Sequence, residues 1–369
     1  MKSLSEREAY VAFNLTDNIG SVGVADLAER FGGVCEAWLA YAEKRSRKGG
    51  EIDFRGEFAK AKRYGVSILT PVDEGYPARL RDTRGHPLAL YVKGDTKALS
   101  MPSVALVGTR RATAYGLDQA NRLGHDLSQY GWCVVSGLAL GIDAEAHKGA
   151  LAANGISVGV LGSALDRFYP EQNRELAREI VKRHGAVVSE FPFGREPDQQ
   201  TFPQRNHVVA ALSMGVVAVE APVKSGTLIT TSIAAEIGRT VMAVPGRVDS
   251  PRSAGCLDLI RNGATLVRCA SDVLEALSEF APISRPNVAK DKIKASSSSK
   301  DSVVGTAPVF TIEESLVMRE VTQEGISMDK LVQLTGLTPG KLSSICMTLR
   351  LKERVRFLSG NRIALPRQS

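Results

Sequence analysis

The chain has 369 residues, of which 43% are hydrophobic, 24% charged and 6% aromatic, proportions that exclude a disordered or collagen-like chain and indicate folded globular protein. No stretch approaches the roughly 18 apolar residues of a membrane span, and the opening MKSLSEREAY is too charged for a secretory signal, so a cytoplasmic protein is expected. The net charge of +7 is unevenly spread, with 14 Lys and Arg against 8 Asp and Glu in residues 282–369 but 33 against 32 in residues 1–281, so a nucleic-acid contact in the larger part has to be a local site.

Residues 1–75 read as a small helical domain around the Gly-containing turn NIGSVGVADLAERFGG (18–33). This loosely matches a helix-hairpin-helix, whose turn amides hold nucleic-acid backbone, although an ordinary packing unit of two helices has the same pattern. Residues 76–280 read as the core domain, in which residues 103–280 alternate short apolar runs with amphipathic stretches. The runs are 103–107, 133–136, 157–161, 186–190, 215–220 and 240–244, and the helical stretches include 117–130 and 175–184. Alternation of this kind predicts an α/β fold with a doubly wound, mainly parallel sheet. Residues 281–308, rich in Pro, Lys and Ser without apolar period, read as a flexible linker. Residues 309–369 show two helices joined by a Gly-containing turn, a third helix and a short hairpin, the pattern of a winged helix. Its third helix carries only Lys341 near the start and Arg350 and Lys352 near the end, few donors for a DNA-reading helix.

Ligands of an open parallel sheet sit outside the carboxyl ends of the strands, so the loops there are the candidate sites. The first holds Gly108, Thr109, Arg110 and Arg111. Arg110 stands where a dinucleotide fold needs its second glycine, and no correctly spaced P-loop occurs, so neither NAD nor a P-loop nucleotide is expected. The loop instead suits an anion: a glycine for close approach, a hydroxyl and two guanidinium forks. A second candidate, Lys224-Ser225-Gly226-Thr227 before the helix LITTSIAAEIG, offers free amides and the positive end of a helix dipole. A third, from Phe202 through Gln204, Arg205 and Asn206 to His207, is read as opening the helix HVVAALSMG and places an aromatic beside an Arg and two amides, the mix that stacks a base while holding a backbone. Each alone has an ordinary alternative as a helix cap or an intramolecular ion pair. Projecting together from one sheet edge, they fit a polymeric phosphodiester better than one small ligand.

Ser136, Asp143 and His147 invite a hydrolase triad, with Asp143 and His147 one helical turn apart. Ser136 lacks the G-x-S-x-G elbow, however, and Asp143 reads equally well as an orienting group at a helix start. The five cysteines, Cys35, Cys133, Cys256, Cys269 and Cys346, form no C-x-x-C pair, and the five histidines are dispersed. Reduced thiols and no structural metal are expected.

The segments VALVGTRRATAYG, VVSGLALGIDAEAHKGAL, SEFPFG, FPQRNHVVAAL, VEAPVKSGTLITTSIAAEIGR, AVPG and AGCLDLIRNGA resemble, in order and spacing, the core of the DNA-processing protein A family (DprA, also called Smf), over about residues 70–270. The resemblance implies a Rossmann-like core that binds single-stranded DNA, forms homodimers, protects incoming DNA and loads a RecA-type recombinase during natural transformation, with no catalytic residues and no cofactor. By position, the family's phosphate loop falls on Val107 to Arg110, its F-P-x-R-N-R segment on Phe202 to His207, and its S-G-[ST]-L-I-T segment on Ser225 to Thr230. His207 replaces a usual Arg and Thr109 a common Ser. If that Arg contacts phosphate, binding here is expected to be weaker and more pH-dependent. Phe202 is the expected base-stacking residue. The rival readings are a Rossmann-type nucleotide phosphoribohydrolase, with Gly226, Thr227 and Glu236 nearest to its motif but Thr230 where its glutamate belongs, and a winged-helix duplex-DNA regulator.

Overall fold

The computed structural model describes residues 4–16, 19–46 and 52–278, and in the C-terminal part residues 312–323, 325–338 and portions of 341–365. The expected linker 281–308 and part of the expected third C-terminal helix lie outside the described residues. The molecule divides into two compact units, residues 1–289 and 290–369.

The first unit opens with helices α1 (Glu6–Asn14), α2 (Ser21–Phe31), α3 (Val34–Ser46) and α4 (Phe54–Tyr64). Local chemistry sets their ends. Ser5 and Glu8 close a reciprocal capping box on α1, Asp53 caps α4, and Gly32 ends α2 in the left-handed conformation that costs glycine no Cβ clash.

Nine strands follow: β1 (Ser67–Leu69), β2 (Leu90–Gly94), β3 (Ser103–Gly108), β4 (Cys133–Ser136), β5 (Ser157–Val160), β6 (Ala186–Ser189), β7 (Gly215–Glu220), β8 (Thr240–Ala243) and β9 (Thr265–Leu266). They form one sheet in the order β1-β2-β6-β5-β4-β3-β7-β8-β9. All neighbours from β6 to β9 are parallel, and β1 and β2 add antiparallel pairs at one edge. The six expected runs are all strands of this sheet. The three others are two or three residues long or belong to the antiparallel edge, so they carry little apolar periodicity to read.

Helices cover both faces: α5 (Ala78–Arg81), α6 (Ala114–Gln129), α7 (Ile142–Ala152), α8 (Arg174–Lys182), α9 (Thr201–Leu212), α10 (Gly226–Glu236), α11 (Ala254–Arg261) and α12 (Ala270–Ala276). The period of two along each strand divides the core. Ala105, Val107, Cys133 and Val135 pack with α9 and Ala234 of α10, whereas Val104, Leu106 and Val134 pack with α6 and α7. Strands buried on both faces in this way read as continuous apolar runs, which made them visible in the sequence.

The sheet begins at Ser67, ahead of the expected core boundary at residue 76, and the N-terminal helices share one unit with it. Val11 of α1 and Ala61 of α4 share a buried cluster with Ile68 and Tyr91. Arg7 donates to the Ile68 carbonyl at 2.6 Å, and the Phe193 amide donates to Glu57 at 2.8 Å. A helical layer with its own apolar face finds its partner in the antiparallel edge of the sheet.

The second unit contains α13 (Ile312–Glu320), β10 (Ile326–Ser327), α14 (Met328–Thr335), β11 (Arg356–Leu358) and β12 (Arg362–Ala364), the strands pairing antiparallel in the order β10-β12-β11. Val317, Leu331, Leu342, Cys346, Leu349 and Ile363 form its core. Among the described residues of the chain, no helix is long and apolar enough to cross a membrane.

Candidate nucleic-acid interface

The strand order reverses at β3: the chain moves out through β4, β5 and β6 on one side, then returns to place β7, β8 and β9 on the other. The carboxyl ends of β3 and β7 therefore flank the crevice in which such sheets bind ligands. A cleft of about 420 Å³ lies there.

At the end of β3, a side chain on Gly108 would place its Cβ 2.7 Å from that of Ile142, so glycine lets the strand end meet α7 closely. The loop beyond is tied to β7. The Thr109 amide donates to the Glu220 carbonyl at 2.8 Å, and the Glu220 carboxylate accepts from both the amide and the hydroxyl of Thr113 at 2.7 Å. The Thr113 hydroxyl in turn accepts from the Gly116 amide at 3.1 Å and caps α6. Clamped at both ends, the loop holds Arg110 and Arg111 exposed, and among the described residues neither has an ion-pair partner. Arg110 instead lies 4.9 Å above the centre of the Phe202 ring, a cation–π contact.

Opposite, α10 starts at Gly226 with Ser225 as its cap residue. Ser225 makes no side-chain capping bond, its Oγ has no hydrogen-bond partner, and no acid stands in the first turn. The Leu228 amide donates to the Ser225 carbonyl at 3.1 Å, and the Gly226 and Thr227 amides are left for an incoming acceptor, with the dipole favouring an anion. A Cβ built on Gly226 meets nothing within 4 Å. Lys224 is exposed with a left-handed φ of 61° and does not line the cleft.

The third segment requires a correction. Phe202 to His207 do not precede their helix; they form its first turns, because the Asp198 carboxylate accepts from the amides of Gln200 and Thr201 at 2.8 and 2.9 Å and starts α9 at Thr201. Pro203 sits in the first turn, where its missing N–H costs no bond. Helical spacing then sorts the side chains: Phe202, Arg205, Asn206 and Val209 share one stripe and line the cleft, while Gln204 and His207 do not. Gln204 lines a separate groove beside the turn preceding α2. His207 faces the Arg84 and His86 region, its Nε2 is buried without a partner, and burial lowers its pKa. The expected pH-dependent phosphate contact is therefore not what this geometry offers.

Arg205 is likewise not an open phosphate ligand. It is 6% exposed, and its guanidinium donates to the carbonyls of Gly137 and, at 2.9 Å, Val160, while Nε donates to Asn206. Burial lowers its pKa and the neighbouring Asp143 opposes that shift. Asp143 accepts from the amides of Gly137 and Ala139 at 3.1 and 3.4 Å. The pair braces the turn after β4 under the cleft floor, since a buried charge needs such partners. No triad forms. The Ser136 hydroxyl donates to the Leu106 carbonyl at 2.6 Å, and His147 Nδ1 meets the Ser157 hydroxyl at 2.7 Å, with burial pushing its pKa down to about 3.

The cleft thus gathers Gly108, Thr109, Arg110, Arg111, Phe202, Arg205, Asn206, Ser225, Gly226 and Thr227, and omits Gln204, His207 and Lys224. Thr230, the end of the S-G-[ST]-L-I-T segment one turn along α10, also lines the cleft, and sequence reasoning missed Glu220 as the clamp. A lone carboxylate ending an otherwise apolar strand was the available signal for the latter. Glu236 ends α10, about 14 Å of helix from Thr227, which leaves the phosphoribohydrolase reading without its carboxylate.

Residues 67–278 match the model of the family described as DNA recombination-mediator protein A. Protein Smf of Synechocystis sp. is 31% identical over 385 residues, covering 94% of this chain and 96% of that protein. DNA processing protein DprA of Bacillus subtilis is 37% identical over 222 residues, covering 60% and 74%. The structure of DNA processing protein A from Streptococcus pneumoniae superposes with a TM-score of 0.63 at 30% identity, covering 74% of this chain and 98% of that one. A structure describing the single-stranded DNA binding mode of DNA processing protein A from Helicobacter pylori superposes with a TM-score of 0.52 at 30% identity, covering 58% and 96%. With its parallel sheet and the loops at β3, α9 and α10, the chain belongs to the DNA recombination-mediator protein A family.

Proposed function

We propose that the chain binds single-stranded DNA in the cleft between β3 and β7, without turnover, and as a cytoplasmic homodimer delivers the strand to a RecA-type recombinase in natural transformation and homologous recombination. The observation that carries this reading is the pairing of two exposed arginines on a clamped loop with an uncapped helix N-terminus across an open cleft. Arg110 and Arg111 neutralise phosphates, the amides near Gly108 and Gly226 donate to their oxygens, and Arg205 positions the floor rather than touching the strand. Backbone contacts of this kind hold a strand without reading its bases. The single-strand mode described for the Helicobacter pylori relative supports the same ligand. The C-terminal unit, read as a winged helix, carries sparse basic residues that suit a protein contact.

Arg110→Glu tests the reading. Wild type should bind fluorescent oligo-dT in preference to duplex, with log affinity falling against log salt by about 0.7 per phosphate neutralised. Arg110→Glu should bind weakly with a shallower slope. If duplex competes equally and the substitution changes nothing, the cleft is not the DNA site and the C-terminal unit becomes the better one.

A further inference from the structure

Resting on that reading, we propose that Tyr169 is a base-stacking platform for the strand, placed where the phosphate cleft opens sideways between the β4–α7 and β5–α8 connections. Tyr169 is 47% exposed, and its ring centre lies 6.3 Å from that of Phe202 at 56°. A narrow cleft beside the main one is walled by Tyr169, Leu140, Phe202 and Arg110, and it shares Arg110, Phe202 and Arg205 with the phosphate cleft. The two therefore adjoin at the Arg110–Phe202 pair.

Phe202, the expected stacking residue, is not free for that role in this arrangement. The Arg110 guanidinium covers one side of its ring at 4.9 Å, and its edge lies 2.9 Å from where a Cβ on Gly162 would stand. Phe202 is a pedestal for the arginine, and a base reaching it must displace or lie upon the guanidinium. Tyr169 offers the open aromatic face next to it, with Leu140, 39% exposed, at its margin. A phosphate held by Arg110 thus has a base platform within one nucleotide's reach, the alternation of charge and π-face that single-strand grooves use. Solvent exposure of a tyrosine and a leucine side by side costs apolar hydration, which a stacked base would relieve.

The test uses the full chain, oligo-dT and an abasic oligodeoxynucleotide of equal length. Tyr169→Ala should weaken oligo-dT binding by about 5- to 150-fold, the effect of losing one base–aromatic stack, with an unchanged salt slope and unchanged binding of the abasic strand. Tyr169→Phe should restore affinity. In Tyr169→Trp the new indole is exposed whereas Trp38 and Trp132 are 6% and 4% exposed, so its fluorescence should be quenched by oligo-dT and not by the abasic strand. If Tyr169→Ala binds oligo-dT within twofold of wild type, or loses both strands equally, the platform is overturned while an Arg110→Glu defect leaves the phosphate reading standing. If Tyr169→Ala is defective as expected and Arg110→Glu binds as wild type, the phosphate reading fails and the platform stands. A wild-type protein that binds neither strand overturns both.

Discussion

At the end of β7, one carboxylate organises a loop that belongs to another strand. Glu220 is 3% exposed and accepts two hydrogen bonds from Thr113. Its negative charge next to a phosphate site is unfavourable for binding by Coulomb's law, so its contribution has to be positional. Glu220→Ala separates these effects. It leaves the Thr113 amide and hydroxyl short of a buried partner, a loss of about 1–3 kcal/mol, measurable as a lower urea midpoint. Charge alone predicts tighter oligo-dT binding by this variant; loosening of the Arg110–Arg111 loop predicts weaker binding, which is the expected result. Arg205 and His207 carry the opposite lesson. Both looked like cationic ligands in a row of polar residues, yet one is spent on buried carbonyls and the other faces a different part of the molecule.

Among the elements, α10 presents its N-terminal end to the cleft without a side-chain cap and without a first-turn acid. Its first turn has no acid and Ser225 Oγ is unpartnered, features that leave a helix less stable than it could be. Gly226→Asp exploits this. With no atom within 4 Å of a Cβ there, the fold should accept the side chain, and an acid at the helix N-terminus should stabilise by about 0.3–1 kcal/mol. The same charge should repel a phosphate. A melting temperature equal to or above wild type combined with weakened oligo-dT binding is expected; unchanged binding would place the strand elsewhere. Helix α9 shows how an element sorts a motif: of the linear string from Phe202 to His207, Phe202, Arg205 and Asn206 form a cleft stripe while Pro203, Gln204 and His207 do not line it, because 3.6 residues make a turn.

At the scale of the molecule, the N-terminal helices are part of the body that holds the cleft. Arg7, Asn14 and Glu57 each bond to backbone of the sheet region or its loops, and β1 pairs with β2 through residues 67–69. A fragment of residues 76–280 would lose β1 and uncover Tyr91, whose side chain is fully buried. It should melt well below a fragment of residues 1–289, and thermal denaturation of the two measures the difference. Equal melting temperatures would show the helical layer to be independent of the sheet.

The sequence by itself determined the sheet and two of the loops at its edge. Strands buried on both faces must be apolar along their length, and a helix start that meets an anion must be small and hydroxylated, so Val104–Val107, Val216–Val219 and Ser225–Thr227 were legible as letters in a row. Tertiary structure alone decided which side chains the cleft receives. Glu220 clamps Thr113 across more than a hundred residues of chain, Arg205 turns inward to the carbonyls of Gly137 and Val160, and Tyr169 arrives beside Phe202 from the loop after β5. These are contacts between segments remote in sequence, fixed by strand order and by where α9 begins, and local periodicity carries no record of them.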